Sequence, residues 1–161
     1  MEVLSTKALM AGLFSWISLY TGYEIPEKAP DVVFVSHEKL VALACQDECP
    51  VLGFYHPSRI VYLDIALKPE TNLCARSILA HELVHVMQHE NGSFYDVDAH
   101  KRWILREKEA LHVQRNFLKQ NGRPGLFKRH LRLRRTANGA EVREGAKDWR
   151  LPLQAYFGRD C

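Results

Sequence analysis

Two histidines and a glutamate stand at metal-binding spacing in the middle of the chain, within Ser77–Met87 (SILAHELVHVM). His81 and His85 are four residues apart, so on a helix they share one face and can direct two imidazoles to one metal ion. Imidazole suits zinc, and catalytic zinc sites combine three protein ligands with one water. Glu82 can reach the zinc-bound water without taking a ligand position. The pattern therefore predicts one Zn²⁺ ion held by His81 and His85, with Glu82 as general base.

The alternative is that both histidines are core residues and the glutamate is incidental. The neighbours of these three residues are all uncharged, which predicts a buried helix: Ile78, Leu79, Ala80, Leu83, Val84, Val86 and Met87. Glutamate is almost never fully buried unless it is paired. Burying it together with two imidazoles costs free energy unless a metal ion or another partner compensates. The metal site is therefore the favoured interpretation.

The third ligand must come from another segment, and the next predicted helix offers two carboxylates. That helix has an apolar face formed by Trp103, Ala110, Leu111 and Leu118. At 100° per residue, Glu107 and Gln114 lie on this face, whereas Glu109 lies well off it. A carboxylate on a buried face needs a partner, which zinc would provide. We therefore expect Glu107 as the third ligand, with Glu109 as the less favoured choice and Asp98 after it.

These residues resemble the gluzincin metallopeptidases. The likeness rests on His81-Glu82-x-x-His85 followed by Glu107-x-x-Ala110, and the small size of the chain is similar to that of the minimal gluzincins. In that family the ligand glutamate commonly lies on the next helix, three residues before a small residue. The resemblance therefore also favours Glu107.

Two related patterns are absent. The metzincin continuation fails, because Gln88 stands where glycine is needed and Asn91 where histidine is needed. Some gluzincins support a ligand histidine with an aspartate four residues after the ligand glutamate; Leu111 is at that position, so support must come from elsewhere. The family also binds substrate as a strand added before the active-site helix, which here implies Val51–His56 or Arg59–Asp64.

The resemblance implies a zinc metallopeptidase acting on a protein or peptide, in which Glu82 takes a proton from water and passes it to the leaving amine. Two other functions stay open: a non-catalytic zinc-binding module that presents a basic tail to a partner, and a zinc hydrolase acting on a non-peptide amide. Three further residues are secondary candidates. His89 would line the cleft or stabilise an oxyanion, although an exposed position at the helix end is the favoured interpretation. His112 would protonate or stabilise a tetrahedral intermediate, and Tyr95 would lie near the substrate.

Hydrophobic periodicity and turn residues predict an α+β domain. It is a short mixed or antiparallel sheet backed by the active-site helix and the following glutamate-bearing helix, in a single zincin-like domain over residues 1–161. Helices are expected at 5–21, 37–45, from Thr71 or Asn72 to about 89, and from Asp96 or Asp98 to about 119. Strands are expected at 31–36, 51–56 and 59–65, the last two antiparallel.

Basic charge is concentrated beyond the predicted helices, in a loosely organised segment from about residue 120. Residues 1–118 contain 11 Lys/Arg and 15 Asp/Glu, whereas residues 119–161 contain 11 and 4. The run 128–135 (KRHLRLRR) reads as a short helix, and either a solvated face or a surface for nucleic acid, acidic protein or lipid would explain it. No aromatic residue interleaves within the run, which argues against nucleic acid.

The four cysteines, Cys45, Cys49, Cys74 and Cys161, form no repeated CxxC pattern, which argues against a cysteine zinc site. They are compatible with buried thiols, with two disulfides, or with one bridge among the first three. Residues 8–20 mimic a secretory signal after Lys7, but their helical apolar spacing predicts a packed helix. No run is long enough to span a bilayer. The sequence leaves the compartment open between the cytoplasm and a secreted or periplasmic location.

Overall fold

Four helices and five strands make up the part of the chain that the structure, a computed structural model, describes: residues 5–45, 51–123, 132–135 and 141–144. The elements in chain order are α1 (Thr6–Thr21), β1 (Asp31–Val35), α2 (His37–Ala44), β2 (Gly53–His56), β3 (Ile60–Asp64), α3 (Leu73–Glu90), α4 (Ala99–Gln120), β4 (Arg132–Arg135) and β5 (Glu141–Glu144). This arrangement confirms the predicted α+β class.

A three-stranded mixed sheet has the order β1-β3-β2. β3 pairs in parallel with β1 and antiparallel with β2, so the predicted hairpin of β2 and β3 is confirmed. Because β3 is the middle strand, both of its edges are occupied. Of the two strands considered for substrate binding, only β2 has an edge that is unpaired within the described residues.

Helix α3 is enclosed by the rest of the fold, which explains why its sequence is apolar on nearly every side. It packs against α1, α4, β2 and β3. Leu79, Leu83 and Met87 are completely buried in the main core. The side chain of Asn72 accepts a hydrogen bond from the Ala75 amide at 2.8 Å and so caps the first turn. The core thereby fixes both the position and the rotation of the helix that carries the two histidines.

Helix α4 begins after Asp98, whose carboxylate accepts from the Lys101 amide and serves as the N-cap. The predicted apolar face is confirmed at Ala110, Leu111 and Leu118, which are buried, but it is wrong at Trp103, which is 47% exposed. The buried residues of α4 all fall between positions 110 and 118. Its first turns instead contact the 91–98 loop, to whose carbonyls Arg102 and Arg106 donate hydrogen bonds. Trp103 is therefore on a part of α4 that contacts this loop and not the hydrophobic core.

The basic segment departs from the expected helix where the structure describes it. Residues Arg132–Arg135 form a strand, β4, which pairs antiparallel with β5. The helix prediction is therefore wrong for these four residues, because they pair with the strand that follows at 141–144, and the charge pattern of the run alone does not indicate that partner. The rest of the run, 128–131, lies outside the described residues, as does most of the segment that we expected to be loosely organised.

Cys45 and Cys74 are both disulfide-bonded, so the free-thiol alternative does not hold at these two positions. Cys49 and Cys161 lie outside the described residues. The expected first helix is confirmed as α1, which buries Leu9, Leu13 and Ile17 in the core. None of the helices in the described ranges is both long and apolar enough to cross a membrane.

Candidate metal centre

Two imidazole nitrogens and one carboxylate meet between α3 and α4. The Nε2 atoms of His81 and His85 are 3.1 Å apart. Glu107 places Oε1 3.0 Å from Nε2 of His85 and Oε2 3.6 Å from Nε2 of His81. His81 is buried, and the side chains of His85 and Glu107 are nearly so. The two helices thus bring together the three side chains that the sequence singled out.

The spacing of these atoms suits a small tetrahedral ion. Ligands about 2.0–2.1 Å from a tetrahedral zinc lie roughly 3.3 Å from one another. The two Nε2 atoms are 3.1 Å apart, and the two oxygens of Glu107 lie 3.0 and 3.6 Å from the nearer imidazole nitrogen, so all three contacts are close to that value. Within the described residues, no further His, Cys, Asp or Glu joins the group. Three protein ligands with one open position are typical of catalytic rather than structural zinc.

The ring of His85 is oriented by a glutamine one turn further along α3. Gln88 Nε2 donates to the Arg106 carbonyl at 3.0 Å and to Glu109 Oε2 at 2.8 Å. Both partners are acceptors, so the amide nitrogen must be on that side and the amide oxygen must face His85. Oε1 of Gln88 is 2.8 Å from Nδ1 of His85. Nδ1 of His85 is therefore the donor, and the opposite nitrogen, Nε2, is the atom that could bind a metal ion.

The ring of His81 is oriented in the same way by a glutamine from α4. Ser77 donates its hydroxyl hydrogen to the Cys74 carbonyl at 2.7 Å, so its oxygen accepts from Gln114 Nε2 at 3.1 Å. Oε1 of Gln114 then faces Nδ1 of His81 at 3.1 Å. Both histidines therefore hold a proton on Nδ1 and direct Nε2 toward Glu107.

This arrangement places electron-rich atoms face to face and favours a cation among them. Burial alone would lower the pKa of His85, yet the hydrogen bond and charge of Glu107, with the charge of Glu82, raise it to about 9. Burial would raise the pKa of Glu107, but its hydrogen bonds and charge interactions with His81 and His85 hold that pKa far below the usual range. A divalent ion would satisfy the same demand for positive charge without a proton.

Glu82 lies beside this group, buried against the edge strand. It is 6% exposed and has no hydrogen-bonding partner among the described residues. Gly53 of β2 makes room for it, because a Cβ atom built at Gly53 would lie 2.8 Å from both Cγ and Oε1 of Glu82. A buried carboxylate without a partner costs free energy. A water molecule on a metal held by the adjacent histidines would supply the missing hydrogen bond.

The other sequence candidates lie apart from the three converging side chains. Glu109 accepts from the Tyr23 hydroxyl and from Gln88, and Asp98 caps α4. His112 is exposed on the far side of α4, where Nε2 lies 2.9 Å from the Tyr20 hydroxyl of α1.

The remaining two cleft candidates lie near the end of α3. His89 is half-buried rather than exposed, and its Nδ1 atom is 2.8 Å from the hydroxyl of Tyr55 on β2. Tyr95 is exposed, with the guanidinium of Arg102 4.6 Å above its ring. His89 does not belong to the cluster of His81, His85 and Glu107.

Sequence reasoning missed the role of Gln88. It noted Gln88 only as a departure from the metzincin pattern, although a glutamine three residues after a predicted ligand histidine lies on the same side of the helix. Gln114, which the sequence placed on the buried face of α4, does contact a predicted ligand, His81.

Comparisons with protein-family models, with curated proteins and with solved structures find no match to this chain.

The Gln114→Leu variant should bind zinc about 10- to 100-fold more weakly than the wild-type chain, a loss typical for a residue that orients a ligand. The reason is that Nδ1 of His81 loses its acceptor while the side-chain volume is nearly kept. Competition with a colorimetric chelator measures the affinity. Gln120→Leu, on the exposed end of the same helix, is the matched control and should bind as the wild type does. Equal affinities for all three proteins would contradict the assigned orientation of His81.

Proposed function

We propose that this protein is a zinc metallopeptidase in which His81, His85 and Glu107 hold the metal and Glu82 is the general base. The observation that carries the proposal is that Glu82, which is buried and has no hydrogen-bonding partner among the described residues, lies beside the converging side chains of His81, His85 and Glu107. The predicted gluzincin-like motif supports the same interpretation. When bound, zinc would polarise the substrate carbonyl and lower the pKa of water toward about 7.

Glu82 would move the proton in this reaction. Its carboxylate accepts a proton from the attacking water and then gives that proton to the amine that leaves when the C–N bond breaks. Burial against Gly53 leaves the side chain little room, so it is held for this transfer in advance. His81 and His85 keep their Nδ1 protons throughout, because Gln114 and Gln88 accept them.

The edge of β2 that is unpaired within the described residues is the proposed binding site for an extended peptide. The Asp64 amide donates to the Leu52 carbonyl, so 52 and 64 form a hydrogen-bonded pair of the antiparallel ladder. By alternation, the backbone groups of Gly53 and Tyr55 point away from β3. They are available to a substrate strand, as in β-augmentation. Because Gly53 also contacts Glu82, a peptide bound there would run past the proposed base.

The non-catalytic module explains less of the geometry. A structural zinc site is normally closed by four protein ligands, whereas the described residues supply three. A site that only presents a tail has no use for a buried carboxylate beside the metal ligands that has no hydrogen-bonding partner among the described residues. These two features favour hydrolysis over the module. Two features support a peptide as the substrate: the predicted family resemblance and the edge strand β2.

The Glu82→Gln variant should retain zinc at the wild-type affinity and lose cleavage by about 10²- to 10⁴-fold, because the amide cannot accept the proton. Zinc-loaded proteins are incubated with fluorescein-labelled casein and with a mixture of synthetic peptides, and products are measured by fluorescence and mass spectrometry. Cleavage by Glu82→Gln at the wild-type rate would contradict the role of Glu82. A wild-type protein that binds zinc but cleaves none of these substrates would favour the module.

The Gly53→Ala variant should also keep zinc and lose most of its cleavage. The added methyl group would occupy the space of the Glu82 carboxylate and displace it, while the metal ligands lie on other elements. Gly12→Ala is the control, since a Cβ at Gly12 meets no atom within 4 Å. The same two assays apply. Full cleavage by Gly53→Ala would show that the contact between β2 and Glu82 does not position the base.

A further inference from the structure

We propose that Glu109 is a positioning residue for the metal centre, acting on His85 through Gln88 and held in place by Tyr23. The inference rests on the proposed metal site and deepens it. Glu109 follows Glu107 by two residues on α4 and therefore points to a different side of the helix. One helix would thus supply one ligand directly and orient a second ligand indirectly.

The connection is a continuous chain of short hydrogen bonds. Oε2 of Glu109 accepts from Gln88 Nε2 at 2.8 Å, and Oε1 of Gln88 accepts from Nδ1 of His85 at 2.8 Å. An ionised carboxylate has no hydrogen to donate, so Glu109 can only accept and therefore faces the amide nitrogen of Gln88. Hydrogen bonds in such chains polarise one another. The negative charge of Glu109 thereby makes Gln88 Oε1 a better acceptor and His85 a more basic ligand.

The corresponding chain behind His81 contains no charged group. It passes from Gln114 to the Ser77 hydroxyl and ends on the Cys74 carbonyl. The two ligand histidines are therefore supported unequally, although each rests on a glutamine. We expect His85 to be the ligand whose binding depends on Glu109, with His81 unaffected.

Tyr23 fixes the outer end of the chain. Its hydroxyl donates to Oε2 of Glu109 at 2.7 Å. Burial, opposed by a hydrogen bond to Ser93 and reinforced by Glu109, raises the pKa of Tyr23 to about 12, so the phenol remains a donor at neutral pH. Asn91 holds the loop that carries Tyr23, with one hydrogen bond to the Glu24 amide at 2.9 Å and one to the Glu24 carbonyl at 3.0 Å.

Glu109 accepts hydrogen bonds from both Gln88 and Tyr23, so its carboxylate serves to position Gln88. Glu109→Ala would leave the amide nitrogen of Gln88 with the Arg106 carbonyl as its one remaining acceptor. It would also leave the Tyr23 hydroxyl without its acceptor. One acceptor instead of two would then hold the amide, so Gln88 would be oriented less firmly and Oε1 would be a weaker acceptor for the Nδ1 proton of His85.

The test measures the zinc affinity of the full chain by chelator competition for the wild type, Glu109→Ala, Tyr23→Phe and the control Glu90→Ala. Glu90 is an exposed carboxylate at the end of α3 that pairs with Arg59 outside this chain of bonds. We expect about 10- to 100-fold weaker binding for Glu109→Ala, a smaller loss for Tyr23→Phe and no change for Glu90→Ala. Tyr23→Phe removes one hydroxyl and keeps the test usable if Glu109→Ala does not fold.

A second readout separates positioning from general destabilisation. In the zinc-loaded protein labelled with ¹⁵N-histidine, the Nδ1–H resonance of His85 should shift in Glu109→Ala, while that of His81 stays in place. Wild-type affinity in Glu109→Ala, or equal losses in Glu109→Ala and Glu90→Ala, would overturn the inference. Complete loss of zinc in a Glu109→Ala protein that remains folded would make Glu109 a ligand and would also overturn it. A wild-type chain that binds no zinc would refute the proposed function itself.

Discussion

The approach of two imidazole nitrogens and a carboxylate to within 3.0–3.6 Å is the interaction on which the rest of the site depends. Such a grouping repels itself unless positive charge lies within it. The structure nonetheless holds it in place: α3 is buried on almost every side, and α4 buries Ala110 and Gln114 next to Glu107. Core packing thus maintains an arrangement that a divalent cation would stabilise.

The charges around the site are matched to such an ion. Two neutral histidines add no charge, and Glu107 with Glu82 contributes two negative charges against the two positive charges of zinc. Gln88 and Gln114 orient the histidines without adding further buried charge, which would have to be compensated. Glu109 stands one hydrogen bond further out and is half-buried, where a charge costs less. Neutral amides close to the ligands and a carboxylate beyond them are therefore a consistent arrangement.

The sequence was informative wherever one helical period decided the outcome. His81 and His85 share a face because they are four residues apart, and Glu107 was separated from Glu109 by its angle to the apolar residues of α4. The strands of the hairpin followed from local alternation. The prediction that Trp103 is buried was wrong because the apolar periodicity of α4 continues past the end of the core. The exposure of Trp103 depends on what α4 packs against there.

Local sequence patterns did not predict the contacts between residues far apart in the chain. Nothing near Tyr23 indicates that its hydroxyl meets Glu109, 86 positions later. The choice of β2 as the free edge required the strand order, and the role of Gly53 required the contact between β2 and Glu82. Gln88 is the exception, since its place one turn after His85 could have suggested a supporting role.

The most direct test of the central claim is the zinc content of the purified chain. The protein is equilibrated with excess zinc, freed of unbound ion and analysed by inductively coupled plasma mass spectrometry against protein concentration. The account predicts close to one zinc ion per chain in the wild type and almost none in a chain lacking His81, His85 and Glu107. A wild-type chain without zinc, or equal zinc in both proteins, would contradict it.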